Sequence, residues 1–397
     1  MSAGIPEFKG RAGWEFTDIS KLDFAAYPDA GEGDASAANA PAIVPVFDDA
    51  IRVVQVDGST VEIPEGLPEG VTVTSLEKAR AEGLIPAGKP GALVDTTKDA
   101  FLARNEADGR GGLFVHVAKG VVVEKPIQCT VVQATAKTTL NQRTLVVVDE
   151  GAQVEVWDQV LSSSDDLDAL MTTVVELHVG DGANLRYIAT QGLSEKSSVF
   201  GTQQGEIGRD GTLDWVALGF GAAKGRVRMA SRLAGTGAHG KVTGAYASRG
   251  TQHLDFDTFQ EHAAENTVSD LAFRGVLDGH STSVWSGMIR VDEGAQQTDA
   301  FQESRNLLLS RDAHADAIPG LEIEADDVRC THAAAIAQLD EEQIFYLRSR
   351  GLPEEQARHL VIEGFLAELV ERFEEGRSRD ALADALEQRL ELVLSGS

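Results

Sequence analysis

The sequence predicts a mainly β protein whose centre is a β-solenoid, best fitted by a parallel β-helix, and whose C-terminus is helical. Turns marked by Gly, or at 266 by Asn, recur through the middle of the chain at intervals of 31, 31, 29, 26, 29 and 28 residues, at positions 120, 151, 182, 211, 237, 266 and 294. A period near that length with strand–turn–strand content marks a solenoid. No stretch of helix length with 3.6-residue periodicity interrupts these runs, so the crossover helices of a doubly wound sheet are absent. After about residue 335 the pattern switches to amphipathic helix. An antiparallel sandwich is the alternative, because Gly turns also close hairpins.

Three segments follow: a mixed α/β segment over 1–100, the β-helix core over 101–328, and a helical domain over 329–397. In the first, a patterned piece around Trp14-Glu15-Phe16-Thr17-Asp18-Ile19 precedes a loose stretch from Asp29 to Ala42. Ile51 to Val56 reads as a strand running into a turn at Asp57-Gly58. Ser75 opens a short helix that stops near Gly83. In the core, alternating apolar runs meet each turn, as in Phe114 to Val123, Val146 to Val154 and Leu177 to Leu185. Gly supplies the positive φ that such turns demand, with Asn as the usual substitute.

The helical segment opens with Asp340 as N-cap and Gln343 placed to reach back to it. That helix closes at Gly351, and Pro353 starts the next, Glu354 to about Glu375. A last helix runs from Ser378 to about Leu394, with Leu382, Leu386, Leu390 and Leu394 at i+4 steps. Two roles suit these helices: a cap over an open solenoid end, where bare β edges invite aggregation, or a docking surface for a partner.

Composition narrows the function classes. Sixty-three Asp+Glu against 35 Lys+Arg give a formal net charge of −28. Such a chain repels phosphate backbones and anionic lipid, so no nucleic-acid or membrane-surface role is expected. Forty Gly with 6% aromatic residues suit a turn-rich β architecture. Cys129 and Cys330 are the only cysteines, far apart, which excludes a disulfide framework. Met1 to Glu7 lacks the pattern of a signal peptide, and no apolar run approaches a membrane span, so the expected compartment is the reducing cytoplasm.

Most motifs dissolve on inspection. Gly235-Thr236-Gly237-Ala238-His239-Gly240-Lys241-Val242 nearly spells a phosphate-binding loop. Val242 stands where a Ser or Thr should hold Mg²⁺, and a strand follows rather than a helix. Six of the nine His fall between 239 and 332, without H-E-x-x-H or C-x-x-C. Glu261-His262 with Glu265 is a close His–carboxylate group there. One constellation stands apart, Leu321-Glu322-Ile323-Glu324-Ala325-Asp326-Asp327-Val328-Arg329-Cys330-Thr331-His332. Its Glu322, Glu324 and Asp326 alternate as an extended edge would. In an extended chain Cys330 and His332 share a face, making half a site for a soft or borderline metal. Two ligands do not hold a cluster that takes four, so the remainder would come from another chain. An incidental Cys and His at a domain junction is the plainer reading of the same residues.

The stretch Glu324 to His332, followed by Leu339-Asp340-Glu341-Glu342-Gln343-Ile344-Phe345-Tyr346-Leu347-Arg348-Ser349-Arg350-Gly351-Leu352, resembles the C-terminal signature of the SufB/SufD family. Asn306-Leu307-Leu308-Leu309-Ser310, Val123-Glu124-Lys125-Pro126-Ile127 and the Trp14 to Asp18 element are similar to further family segments. The resemblance implies a right-handed parallel β-helix and a non-enzymatic subunit of an iron–sulfur cluster assembly complex. It is closer to the D-type subunit. The B-type scaffold carries a Cys within the stretch that corresponds to Ser310–Asp316, which has none here, and a Glu where Ala333 follows His332. The resemblance further implies pairing with a SufB-like scaffold and recruitment of a SufC-like ABC-type ATPase through the C-terminal helices, at Phe345, Tyr346, Arg348, Arg350 and Gly351. Self-pairing as a homodimer is one option for the isolated chain. His332 would serve a transient iron–sulfur cluster shared with the scaffold, with Cys330 beside it. The family's Gly-Ala-Thr-Val-Gly after that His is replaced by Ala333-Ala334-Ala335-Ile336-Ala337, which leaves the backbone there open. A β-helix carbohydrate-active enzyme and a purely structural solenoid are the competing classes.

Overall fold

Two long sheets face each other, each built from every second strand of the chain. The computed structural model describes residues 14–40, 42–45, 47–87, 93–109 and 112–394, so the Met1 to Glu7 stretch lies outside it. Near the N-terminus come β1 (Ile51–Val56), β2 (Ser59–Glu62), β3 (Val71–Ser75) and helix α1 (Leu76–Ala81). Helix α2 (Ala100–Asp108) leads into β4 (Leu113–Val117) and β5 (Ile127–Gln133). Longer strands then follow without interruption: β6 (Thr139–Val148), β7 (Gln153–Ser162), β8 (Leu170–Val179), β9 (Asn184–Gly192) and β10 (Ser198–Ile207). They continue as β11 (Thr212–Gly219), β12 (Lys224–Leu233), β13 (His239–Ser248), β14 (His253–His262) and β15 (Val268–Leu277). The last four are β16 (Thr282–Val291), β17 (Thr298–Leu308), β18 (His314–Ile323) and β19 (Val328–Gln338). Helices α3 (Glu341–Ser349), α4 (Glu354–Val370) and α5 (Arg377–Leu394) close the described chain.

From β4 onward, even strands stack with even and odd with odd, all parallel, ending in β18 and β19. This is the expected parallel solenoid. At the other end the stacks are closed by antiparallel neighbours, β2 on β1 and β3 on β4. The solenoid is longer than the 101–328 span. β1 already pairs in parallel with β5, and β19 carries the strand pattern through to Gln338. Residue 101 falls inside α2, a helix capped by the Asp99 side chain and not anticipated from the sequence.

The turn column shows why the repeat was visible. Gly120, Gly151, Gly182, Asp210, Gly237, Asn266 and Gln297 all have φ between 54° and 73°. Each donates its N–H one rung onward: Gly120 to the carbonyl of Glu150, Gly151 to Asp181, Gly182 to Arg209, and so on to Gln297, which donates to Asp327. Two positions differ from the spacing-based expectation. Asp210 rather than Gly211 takes the left-handed conformation, which Asp tolerates. Gly294 takes the expected positive φ, 87°, but Gln297 makes the column's bond, because the last of these turns has a longer path.

Inner faces carry alternate residues of each strand, and aromatic side chains fill much of the space between them. Trp215, Trp285, Tyr187, Tyr246 and Phe273 are fully buried, each contributing on the order of 2–3 kcal/mol. The outer face of the odd-strand sheet is also apolar. Trp157, Val216, Leu218, Ala245, Val276 and Leu307 pack there against Ile362, Leu366, Leu369, Leu382, Leu386 and Leu390. Helices α4 and α5 therefore lie along the side of the solenoid, against β15 and β13, and do not cap its end. The cap expectation fails because the helices' apolar stripe finds a larger matching surface on the sheet's flank. Arg274 fixes α4 by bridging Glu303 at 2.7 Å and Glu368 at 3.0 Å. Arg389 of α5 donates to the Ala247 carbonyl at 2.9 and 2.8 Å. Asp340 caps α3 through the Glu342 N–H, Gly351 ends it at φ 99°, and Pro353 precedes α4. Helix α4 stops at Val370, short of Glu375.

Candidate functional site

The segment from Glu322 to His332 turns out to span the last rung. β18 ends at Ile323, so the alternation of Glu322, Glu324 and Asp326 does not continue as strand; a bend at Asp326-Asp327 intervenes. β19 then pairs with β17 in unbroken register from Val328 opposite Thr298 to Gln338 opposite Leu308. The Ala333–Ala337 stretch is regular strand within that register, so the loss of two glycines does not disturb the backbone.

Register decides which way the two candidate ligands face. Cys330 stands beside Ala300 and His332 beside Gln302, and Ala300, Gln302, Ser304 and Asn306 form the buried inner row of β17. Cys330 and His332 therefore share a face, as an extended chain requires, and that face is the solenoid's inner one. One rung earlier the row is sealed. In β19 His332, Ala334 and Ile336 are exposed, Ile336 by 45%, and on β18 Ile323 is 42% exposed. The interior of the solenoid thus opens at this end, rimmed by two sheet-terminal strands.

The two side chains differ in setting. His332 is exposed. Cys330 is half-buried against Ile289, Val291, Ala295 and Ala300. Burial, followed by the nearby Asp299 carboxylate, pushes its thiol above the ordinary range, which disfavours the thiolate a metal would bind. Asp299 itself is ion-paired with Arg329 and held below the usual carboxylate range. Beneath His332, the Gln302 amide is fixed by two 3.1 Å bonds from Nε2 to the carbonyls of Gly287 and Gly320. Gln302 was not singled out from the sequence; only a 30-residue register offset identifies it. Among the described residues no group of three or more His, Cys, Asp or Glu is arranged to hold a metal ion.

The expected partner-contacting residues sit on α3 and just after it. Phe345 is 73% and Tyr346 57% exposed, a conspicuous apolar pair on a charged helix. The Arg350 guanidinium stacks 5.1 Å from the Tyr346 ring, and Arg348 pairs with Glu354 at 3.1 Å. Gly351 provides the left-handed turn into α4. Ile344, between the exposed positions, is buried and anchors α3 to the helical layer.

Other candidates do not come together. His262 faces inward and is fully buried, bonded to Thr267 Oγ1 at 2.8 Å and Ser269 Oγ at 2.9 Å, whereas Glu261 points outward to Arg232. The phosphate-loop lookalike is the Gly237 turn running into β13. Trp14 is buried against Phe101 and Phe200 with the Arg226 guanidinium 4.6 Å from its ring. Thr17 beside it donates to Asp255 and contacts His253. The tryptophan element is thereby a strap across β12 and β14.

Comparison with known proteins gives the family. Residues 131–365 match the family model described as "SUF system FeS cluster assembly, SufBD core domain", and residues 50–129 match the SufBD protein N-terminal region. Iron-sulfur cluster assembly protein SufD of Bacillus subtilis is 32% identical over 304 residues, 76% of this chain and 69% of that protein. A SufBD family protein of Mycobacterium tuberculosis is 34% identical over 229 residues, 56% of this chain and 58% of that protein. SufB of Bacillus subtilis is 29% identical over 275 residues, 69% of this chain and 59% of that protein. The chain belongs to the SufBD family of iron–sulfur cluster assembly proteins and is more similar to the Bacillus SufD than to the Bacillus SufB.

Proposed function

We propose that this chain is a non-catalytic subunit of a Suf iron–sulfur cluster assembly complex, presenting His332 at the open end of its solenoid to a cluster built jointly with a SufB-like scaffold. The observation that carries the reading is the exposed inner row His332, Ala334 and Ile336 on a sheet-terminal strand. Unpaired edges of β18 and β19 favour strand addition by a second solenoid, and the apolar inner residues favour burial. The cluster is cargo. His332 supplies a neutral imidazole nitrogen, the scaffold supplies the remaining ligands, and Cys330 acts chiefly as packing. A SufC-like ABC-type ATPase docks through Phe345 and Tyr346 on α3. The isolated chain has the same open end available for self-pairing as a homodimer. Among the described residues no helix is long and apolar enough to cross a membrane; the proposed setting is the cytoplasm.

Charge placed on the end face tests the pairing. Ile336→Lys with Ile323→Lys replaces two exposed apolar side chains, so folding should be unaffected, and co-purification with the SufB-like scaffold should be lost. Retention of the scaffold at wild-type yield would show that pairing uses another surface.

A further inference from the structure

The inner faces of the solenoid fail to close around its middle rungs, leaving a cavity of about 70 Å³ bordered by residues of β6 to β12 and of β14. Ala189 and Ala217 follow Asp158 in register on one sheet, and Gly201 follows Thr173 on the other, so little fills the space above the Asp158 carboxyl. Ala189, Gln203 and Val227 keep water-accessible surface although they stand on inward positions. Asp158 is 7% exposed. Its Oδ2 accepts from the Tyr187 hydroxyl at 2.7 Å and the Thr144 hydroxyl at 2.8 Å. Its Oδ1 is buried and meets no donor among the described residues. The same holds for Gln142 Oε1, whose Nε2 is committed to Gln55 at 3.1 Å, and for Gln203 Oε1.

Three acceptor oxygens bordering one cavity, with no Lys, Arg or His in its lining, cannot satisfy one another. We infer that the cavity is a hydration site in which Asp158 carries a proton on Oδ1 and ordered water bridges it to Gln142 and Gln203. The hydrogen-bond count closes. The carboxylic O–H donates to a water, and that water's two hydrogens go to the two amide oxygens. At about 10–15 Å³ per water the space holds that molecule and several neighbours. The ligand class is small, neutral and hydrogen-bonding. Burial raises the Asp158 pKa, the hydroxyl donors opposing it. Of the titratable groups around it, Cys129 on β5 and Tyr187 on β9 are pushed well up by burial and remain neutral, and Asp255 of β14, which also borders the cavity, is paired with Arg226 at 3.3 Å. Asp158 thus has no counter-charge, and neutrality is the form that burial tolerates.

Infrared difference spectroscopy on the full chain tests the protonation. A protonated-carboxyl C=O band at pH 7, lost in Asp158→Asn, is expected. Asn keeps an acceptor for Tyr187 and Thr144 and a donor for the water, so the variant should melt close to wild type at low pH and outlast it increasingly as pH rises, because the folded wild type holds a proton that the unfolded chain releases. Crystals grown with rubidium should show ordered water at Asp158 Oδ1 and no anomalous peak. A rubidium peak with an ionised Asp158 would make this a cation site and overturn the inference. Xenon in a cavity without water would overturn it as well. The solvent and rubidium density is read on wild type, so failure of Asp158→Asn to fold leaves that arm of the test intact.

Discussion

His262 is held neutral by its surroundings. Burial lowers its pKa to about 4, and both ring nitrogens are engaged by hydroxyls. In the unfolded chain the imidazole takes up a proton near its ordinary value, so below about pH 6.5 the unfolded state gains protons that the folded state refuses. Stability from this group falls as pH drops from about 6.5 towards 4, by roughly 3 kcal/mol in all. His262→Gln should flatten that part of the urea-stability profile; an unchanged slope would place the acid sensitivity elsewhere. His332 and Cys330 illustrate what could be read at this scale. That they share a face followed from the two-residue period of extended chain. That the face is the solenoid's interior, laid open at its last rung, did not, because it depends on a parallel register linking residues 30 apart.

At the scale of the element, the turn column was legible because a left-handed backbone leaves a compositional mark. It was misplaced only where Asp210 and Gln297 adopt that backbone without being Gly or Asn. The two kinds of glycine in this fold respond differently to a methyl group. Gly182 has φ 62° with nothing within 4 Å of an added Cβ, so Gly182→Ala should cost about 1 kcal/mol, all of it conformational. At Gly244 an added Cβ would come within 2.2 Å of the Phe273 ring, so Gly244→Ala should cost more, about 1–3 kcal/mol of overpacking. Thermal melts of the two variants give the order; equal losses would mean that the interior yields freely. The helices were legible as helices, with Asp340, Gly351 and Pro353 marking their ends. Their position was not, since an apolar stripe does not say which surface it covers. Removing α4 and α5 would strip the flank of the odd-strand sheet, so truncation is a poor probe of docking. Phe345→Ser with Tyr346→Ser alters only exposed side chains and should abolish capture of the SufC-like ATPase while leaving the melting temperature within about a degree. Undiminished capture would exclude α3 from that interface.

Across the whole molecule the two ends of the solenoid are not equivalent. The N-terminal end is closed by antiparallel strands β2 and β3, whereas the C-terminal end presents bare edges and an exposed inner row. A formal charge of −28 favours solubility, and the inner row of β19, Cys330, His332, Ala334 and Ile336, is a part of the last rung free of carboxylates. Composition and repeat length reached as far as the solenoid; its asymmetry, on which the proposed half-site rests, emerges only from the folded register. The central claim is that half-site. Anaerobic reconstitution of the isolated chain, of its complex with the SufB-like scaffold, and of the same complex carrying His332→Ala, followed by visible absorption and iron counting, tests it most directly. The expected result is a colourless isolated chain, a coloured wild-type complex, and an intact His332→Ala complex with markedly less iron. Equal iron in the wild-type and His332→Ala complexes, or a strongly coloured isolated chain, would contradict it.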